Sequence, residues 1–380
     1  MTLSKDFGFG EYEVMLRDAA RKFFTDNSQP DQIHRLVADN PDLHRPIENK
    51  WVPEQWQEIC ELGWHSVCIP EECGGAGMPL VAAVAIAEEA GKAAFPSPLL
   101  TTYNSVAVLK ACNTEAAKLT LEKITCGSAA TLAMTNQKGS WETTDTDVSV
   151  INGKLSGTAY FVQDAQKADL LIVSAASSDG ISLYAVDSNA EGINIIADGI
   201  IDLTRDQAHI VFDQVTATEI AGPGQGDKAL TKAMPAILCI TSADMVGAGE
   251  WLLQTTTEYA TTRVQFERPI GFFQAVKHPL VNVMLEIDQA KSLTYAAACA
   301  YEEAPEQAEE LSRMAKSRAS DMAVFSANRA VQFHGGIGFT WECFVHLYFK
   351  RQMHNQVLYG DGKYQREKLA EHLIGADGNN

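Results

Sequence analysis

The chain has 380 residues, 46% of them hydrophobic, and its 30 Lys and Arg stand against 49 Asp and Glu for a formal charge of −19. A chain of this length can bury two or three domain cores, and with no apolar run near twenty residues it reads as a soluble globular protein rather than a membrane-spanning one. The negative charge argues against nucleic acid or an anionic membrane as partner, because both demand a positive face.

From the start to about residue 125, apolar residues recur at three- and four-residue steps, as in EVMLRDAARKFF, PEQWQEICELGW and LVAAVAIAEEAGKAA, and predict helices. Between them CIPEECGGAGMP at 68–79 is a loop punctuated by Pro and Gly. From about 128 to 220 the chain turns to short runs rich in Val, Ile, Tyr and Thr, among them ADLLIVSA, ISLYAVD and AHIVFDQV; Asn152-Gly153 between two such runs is a strong hairpin signal. PGQG at 223–226 reads as a linker, and beyond it four long amphipathic segments with short connections predict an up-down bundle. The expectation is an α+β protein: an N-terminal α-helical domain over 1–126, a middle β barrel or sandwich over 127–222, and a C-terminal four-helix bundle over 223–380.

Eight cysteines, Cys60, Cys68, Cys73, Cys112, Cys126, Cys239, Cys299 and Cys343, are scattered without a CxxC pair or a companion histidine spacing, which argues against zinc and for thiols that are mostly buried, in a reducing compartment. The opening stretch MTLSKDFGFGEYEVMLRDAARKFF lacks the basic region, apolar stretch and small-residue cleavage site of a leader, so a cytoplasmic location is expected.

Three segments carry chemistry: LGWHSVCIPEECGGAGMPLVAAVAIAEEAGKA at 62–93, RVQFERPIGFFQAVKH at 263–278 and QFHGGIGFTWE at 332–342. Together with the order helices, β domain, helices, they resemble the signature elements of the acyl-CoA dehydrogenases over nearly the whole chain. The resemblance implies an FAD-dependent oxidoreductase that desaturates an acyl-CoA thioester, with a soluble electron-transfer flavoprotein or similar carrier as acceptor. A CoA ligand is anionic, so its cleft must gather Lys or Arg against the overall charge.

The residues suit that chemistry. Arg263 offers a planar fork of donors for a pyrophosphate and Phe266 a flat face for an aromatic ring. Gly335 and Gly336 allow a backbone to approach a phosphate or ribose, while Gln265, Gln274 and Gln332 supply donors and acceptors. Taken singly, Arg263 has the competing reading of a helix-end arginine that only solvates a surface, and the glycine pair is more often a plain helix-to-helix turn. In the family these elements hold the ADP half of an FAD bound mainly by the neighbouring subunit. The flavin-ring half matches less well: Thr135, Gly139 and Ser140 keep the pattern, but Asn136 stands for an acid, Phe161 for a tryptophan and Gln163 for a threonine.

The reaction needs a carboxylate to take the α-proton of the thioester. Of the two places where the family carries that glutamate, one is Tyr359, before Gly360, and the other is Ile237, followed by Leu238. A phenol with an ordinary pKa of ~10 stays protonated at neutral pH. Asp361 is read as a turn residue, and Asp244 and Glu250 lie seven or more residues beyond Ile237, ~10 Å along a helix. The expectation is therefore a non-catalytic subunit of a heteromeric α2β2 acyl-CoA dehydrogenase, with a partner chain carrying the glutamate and a bulky or steroid side-chain acyl group as substrate. The alternatives are a self-sufficient homo-oligomeric enzyme with an unusual base, and a non-enzymatic acyl-CoA-binding scaffold.

Overall fold

A computed structural model describes residues 9–37 and 50–375; the first eight residues of the stretch read for a leader lie outside the described residues. Six helices come first: α1 (Glu11–Asn27), α2 (Pro30–Val37), α3 (Pro53–Glu61), α4 (Leu80–Lys92), α5 (Leu99–Cys112) and α6 (Glu115–Thr125). Local chemistry sets their ends. Pro53 starts α3 with its fixed φ, the Thr114 hydroxyl caps α6 by accepting from the Ala117 amide at 3.2 Å, and Asn113 closes α5 in the left-handed region.

Eight strands follow: β1 (Ala130–Ala133), β2 (Val148–Ile151), β3 (Lys154–Gln163), β4 (Leu170–Ser177), β5 (Gly180–Asp187), β6 (Ile193–Ala197), β7 (Gln207–Thr216) and β8 (Thr218–Ala221). They form one mixed sheet in the order β6-β7-β3-β2-β4-β5-β8, with β1 running parallel to β4. Strand β4 changes neighbour along its length: residues 170–173 pair with β1, and Ala176 pairs with Ser149 of β2. The β2–β3 hairpin turns at Asn152 and Gly153, both at positive φ, as that dipeptide prefers.

The last part is helical: α7 (Gly226–Thr262), a two-stranded ribbon of β9 (Val264–Gln265) and β10 (Arg268–Pro269), α8 (Gln274–Glu303), α9 (Pro305–His334), α10 (Val345–Val357) and α11 (Gly362–Ile374). The long segments α7, α8 and α9 pack with the shorter α10 as a four-helix bundle, and α11 lies against α9. By length and composition α7 is apolar enough to cross a membrane, which corrects the reading that no such stretch exists. Most of it is buried among α4, α5, α8 and α9, so its apolar surface is spent on the core of the protein.

The crossing of α4 over α7 fixes the site. A Cβ on Gly91 would lie 2.2 Å from the Asp244 carbonyl, and one on Gly247 would lie 1.9 Å from the Glu88 carbonyl. Only glycine permits such a backbone approach, and it seats Asp244 in the middle of the molecule, fully buried.

Candidate cofactor-binding and active site

Two segments meet at the far end of α7. The helix runs into Arg263, whose amide bonds the Tyr259 carbonyl at 2.8 Å and whose carbonyl accepts from the Ile270 amide at 2.8 Å. The ribbon β9–β10 then turns on Phe266 and Glu267, both at positive φ. A left-handed phenylalanine is uncommon, and here it leaves the Phe266 ring 86% exposed. The Arg263 guanidinium has no hydrogen-bond or ion-pair partner among the described residues, and Arg263, Arg268 and Lys277 outnumber Glu267 over 263–278. A local positive field thus forms in an acidic protein.

The second segment is the turn that ends α9. Gly335 adopts φ 65 and ψ −142, and a Cβ built on Gly335 or Gly336 meets no described atom within 4 Å, so the backbone there faces open space. Tyr259 joins the two segments by stacking on His334 at 4.4 Å between ring centroids, with 23° between planes. Gln265, Gln274 and Gln332 are all exposed around this cradle; the Gln265 side chain donates to the Val264 carbonyl at 2.9 Å.

The residues that the resemblance assigns to the flavin ring lie on other elements, after β1 and in β3, and that end is closed. Thr135 is buried and its carbonyl accepts from the Tyr160 amide at 2.9 Å. Asn136 is used inside its own loop, its Oδ1 accepting from the amides of Lys138 and Ser140 at 3.1 Å each. Ser140 donates its hydroxyl to Asp145 at 2.6 Å. Phe161 sits at positive φ where the β3–β7 register slips, 37% exposed, the local bend of a bulge turning it outward. Gln163 is buried and fully engaged: its Oε1 meets His354 Nε2 at 2.7 Å, and its Nε2 donates to Gln207 at 2.9 Å and to the Phe161 carbonyl at 3.1 Å.

Behind Gln163 lies a network of buried charge that the sequence reading missed. Asp164 pairs with Lys167 at 2.7 Å, and Lys167 approaches Asp206 at 3.6 Å. Asp244 accepts from Arg351 Nη2 at 2.6 Å and Nε at 3.1 Å, from Arg205 at 3.0 Å and from the Asn355 amide. Burial alone would raise the Asp244 carboxyl, but Arg351 and Arg205 hold it below the usual range, so it is a paired anion. Its one trace in sequence is an ionisable residue among mostly apolar neighbours in ITSADMVGAG; Arg351, between Lys350 and Gln352 in YFKRQMH, leaves none.

Tyr359 is the centre of the closed end. It lies at positive φ, buried, with its phenolic oxygen accepting from Asn104 Nδ2 at 3.1 Å and the Trp141 ring tilted against its own at 49°, 4.9 Å between centroids. Burial pushes the phenol up to about 12, although the Asn104 bond works the other way. The loop bearing Trp141 is tied down in turn, because Glu142 accepts from Tyr364 at 2.9 Å and pairs with Lys368 at 2.8 Å. From below, the buried Lys316 ammonium donates to the carbonyls of Gly360 at 2.8 Å and Gln356 at 3.0 Å and to Ser320 at 3.0 Å. Ile237 is also fully buried. Asp361 caps α11 by accepting from the Tyr364 amide at 2.8 Å. Glu250, which burial would raise, is held below its usual range by Lys291 at 2.7 Å and Lys92 at 3.3 Å.

Residues 10–128 match the acyl-CoA dehydrogenase N-terminal domain and residues 236–374 the acyl-CoA dehydrogenase C-terminal domain. The chain is 33% identical over 343 residues to acyl-CoA dehydrogenase IpdE2 of Mycobacterium tuberculosis, covering 90% of this chain and 91% of that protein. The chain belongs to the acyl-CoA dehydrogenase family. Among solved structures it is similar to a variant of the Tcur3481–Tcur3483 steroid ACAD, with a TM-score of 0.86 and 25% identity over 98% of this chain and all of that one. The ChsE4–ChsE5 complex from Mycobacterium tuberculosis shares the fold, with a TM-score of 0.84 and 22% identity over 97% of this chain and 98% of that one.

FAD is the cofactor of acyl-CoA dehydrogenases, and the two ends of the site fit it unequally. Arg263, Phe266 and the open backbone at Gly335 and Gly336 suit a pyrophosphate, an aromatic ring and a sugar, and they face outward. At the ring end, the hydroxyl of Ser140 and the amide of Gln163 are already bonded within the chain. FAD supplies the hydride acceptor in this family; this chain's residues fit its ADP half.

Proposed function

We propose that this chain is the cofactor-completing, non-catalytic subunit of a heteromeric FAD-dependent acyl-CoA dehydrogenase, cytoplasmic and paired with a second acyl-CoA dehydrogenase-like chain that carries the catalytic glutamate. The observation that carries the reading is Tyr359: at the position of the base stands a protonated phenol, buried, bonded to Asn104 and covered by Trp141. Proton removal from the α-carbon requires a base in contact with it, and Asp244, Glu250 and Asp361 are each committed to other partners. What the chain retains is the outward-facing cradle, whose geometry serves a nucleotide held chiefly by another subunit.

Two further findings support it. The similar solved structures include proteins named for two chains, Tcur3481–Tcur3483 and ChsE4–ChsE5. The former is a steroid ACAD, which favours a bulky, steroid-like acyl group as the substrate of the assembly. The acceptor in this reading is an electron-transfer flavoprotein-type carrier.

The test is flavin content per chain, read from the visible spectrum of the protein purified alone and after co-expression with its partner candidate. Flavin only in the complex, near one FAD per pair of unlike chains, is the expected result. One FAD per chain in the lone protein, bleached by an acyl-CoA, would overturn the reading.

A further inference from the structure

We infer that Tyr259 is a positioning residue for the ADP cradle, setting the gap between the arginine-bearing ribbon and the glycine turn; the inference rests on the reading that this chain supplies that cradle. Tyr259 touches both halves. Its carbonyl accepts the Arg263 amide at 2.8 Å, so its backbone fixes where the arginine leaves α7. Its ring stacks on His334, the residue before Gly335, at 4.4 Å and 23°, and its hydroxyl reaches the His334 carbonyl at 3.5 Å.

Each half is separately locked to that point. His334 cannot swing away, because its Nδ1 lies 2.8 Å from the Ala330 carbonyl and a Cβ on Gly338 would come within 2.9 Å of its own Cβ. The ribbon side is held just as closely: a Cβ on Gly271 would come 3.0 Å from the carbonyl of Ala260, the residue after Tyr259. Both segments therefore pack on the last turns of α7, and the Tyr259–His334 stack is the side-chain bridge that spans them. A pyrophosphate and a ribose bound in one pose need their donors at fixed separation, so a gap that relaxes lowers affinity without removing any ligand-contacting group.

The test uses the full chain in the assembly that carries flavin, stripped of it and titrated with FAD by fluorescence, then with ADP as competitor. Tyr259→Leu is expected to weaken both FAD and ADP by about tenfold or more, while the flavin-free assembly melts as the unaltered one does. Tyr259→Phe, which keeps the stacked ring and loses only the long hydroxyl contact, is expected to stay within roughly threefold. If Tyr259→Leu does not fold, His334→Leu breaks the same stack from α9 and carries the same expectation. Arg263→Ala serves as the reference. Affinity unchanged in the stack-breaking variant while Arg263→Ala binds poorly overturns the positioning role alone; affinity unchanged in both overturns the cradle reading beneath it. A loss in Tyr259→Phe as large as in Tyr259→Leu overturns the ring stack as the element that sets the gap.

Discussion

The end of α7 and its middle carry the same kinds of residue in opposite states. At the end, Arg263 and Phe266 are exposed, beside a backbone at Gly335 and Gly336 that faces open space. In the middle, Asp244 is matched to Arg351 and Arg205 with no accessible surface, and a few residues away in space Tyr359 is bonded and covered. An arginine that binds a ligand must keep its donors free, whereas a buried arginine must have all of its charge answered from within the chain. The contrast teaches that one helix can leave charge and rings open at its end while its middle is fully paired from within the chain.

Four experiments break or sharpen that contrast. The largest effect is expected inside: Arg351→Met leaves Asp244 with less of its counter-charge in a fully buried setting, and should cost about 3–5 kcal/mol of stability, read from urea denaturation. A loss below about 1 kcal/mol would mean that the network is solvated after all. Outside, Arg263→Ala should leave the fold as stable as before and lower flavin affinity of the assembly by about 1.5–3 kcal/mol, read from FAD titration; full flavin content would sink the cradle.

The third experiment is a pH profile of the closed end. Burial drives the Lys316 ammonium down to about 7 from its ordinary 10.5. Below pH 7 folded and unfolded chains both hold the proton; above it the unfolded chain binds a proton that the folded chain lacks, so stability rises with pH. Between pH 7 and 8 the unfolding free energy from urea denaturation should rise more steeply than in Lys316→Met, by at most about 1.4 kcal/mol per pH unit, a difference in which the cysteines common to both chains cancel. An identical slope in the variant would assign it to other groups.

The smallest effect is expected at Tyr359, on which the proposed function rests. Tyr359→Phe loses one hydrogen bond, that from Asn104, at a cost of about 0.5–1.5 kcal/mol of stability, and should leave turnover of the assembly nearly unchanged. A large fall in turnover would show that Tyr359 takes part in the chemistry.

Much of the fold was legible because its signals are local. The Asn152-Gly153 turn, the Pro and Gly loop before α4 and the helical periodicities each depend on residues near one another in the chain. The parallel pairing of β1 with β4 was not legible, since it joins strands 40 residues apart through main-chain bonds that leave no mark on composition. At the site, RVQF and HGG could be read because they sit in segments that resemble the family's signature elements; taken singly, neither arginine nor a glycine pair would have marked a site. Tyr259 could not, because an aromatic residue one turn before the end of a helix looks like any other apolar position. Trp141 and Asn104 escaped for the same reason: nothing in their own segments says that both converge on Tyr359.

The sequence by itself determined the family, the three-part order of elements and that residue 359 carries a phenol and not a carboxylate, because side-chain identity is fixed by the chain alone. Only the tertiary structure decided that Asp244, Glu250 and Asp361 are each taken up by other partners and that the backbone at Gly335 and Gly336 faces open space. Whether a carboxylate is free or paired depends on what the other segments bring beside it, as Arg351 and Arg205 do for Asp244 and Lys291 and Lys92 do for Glu250.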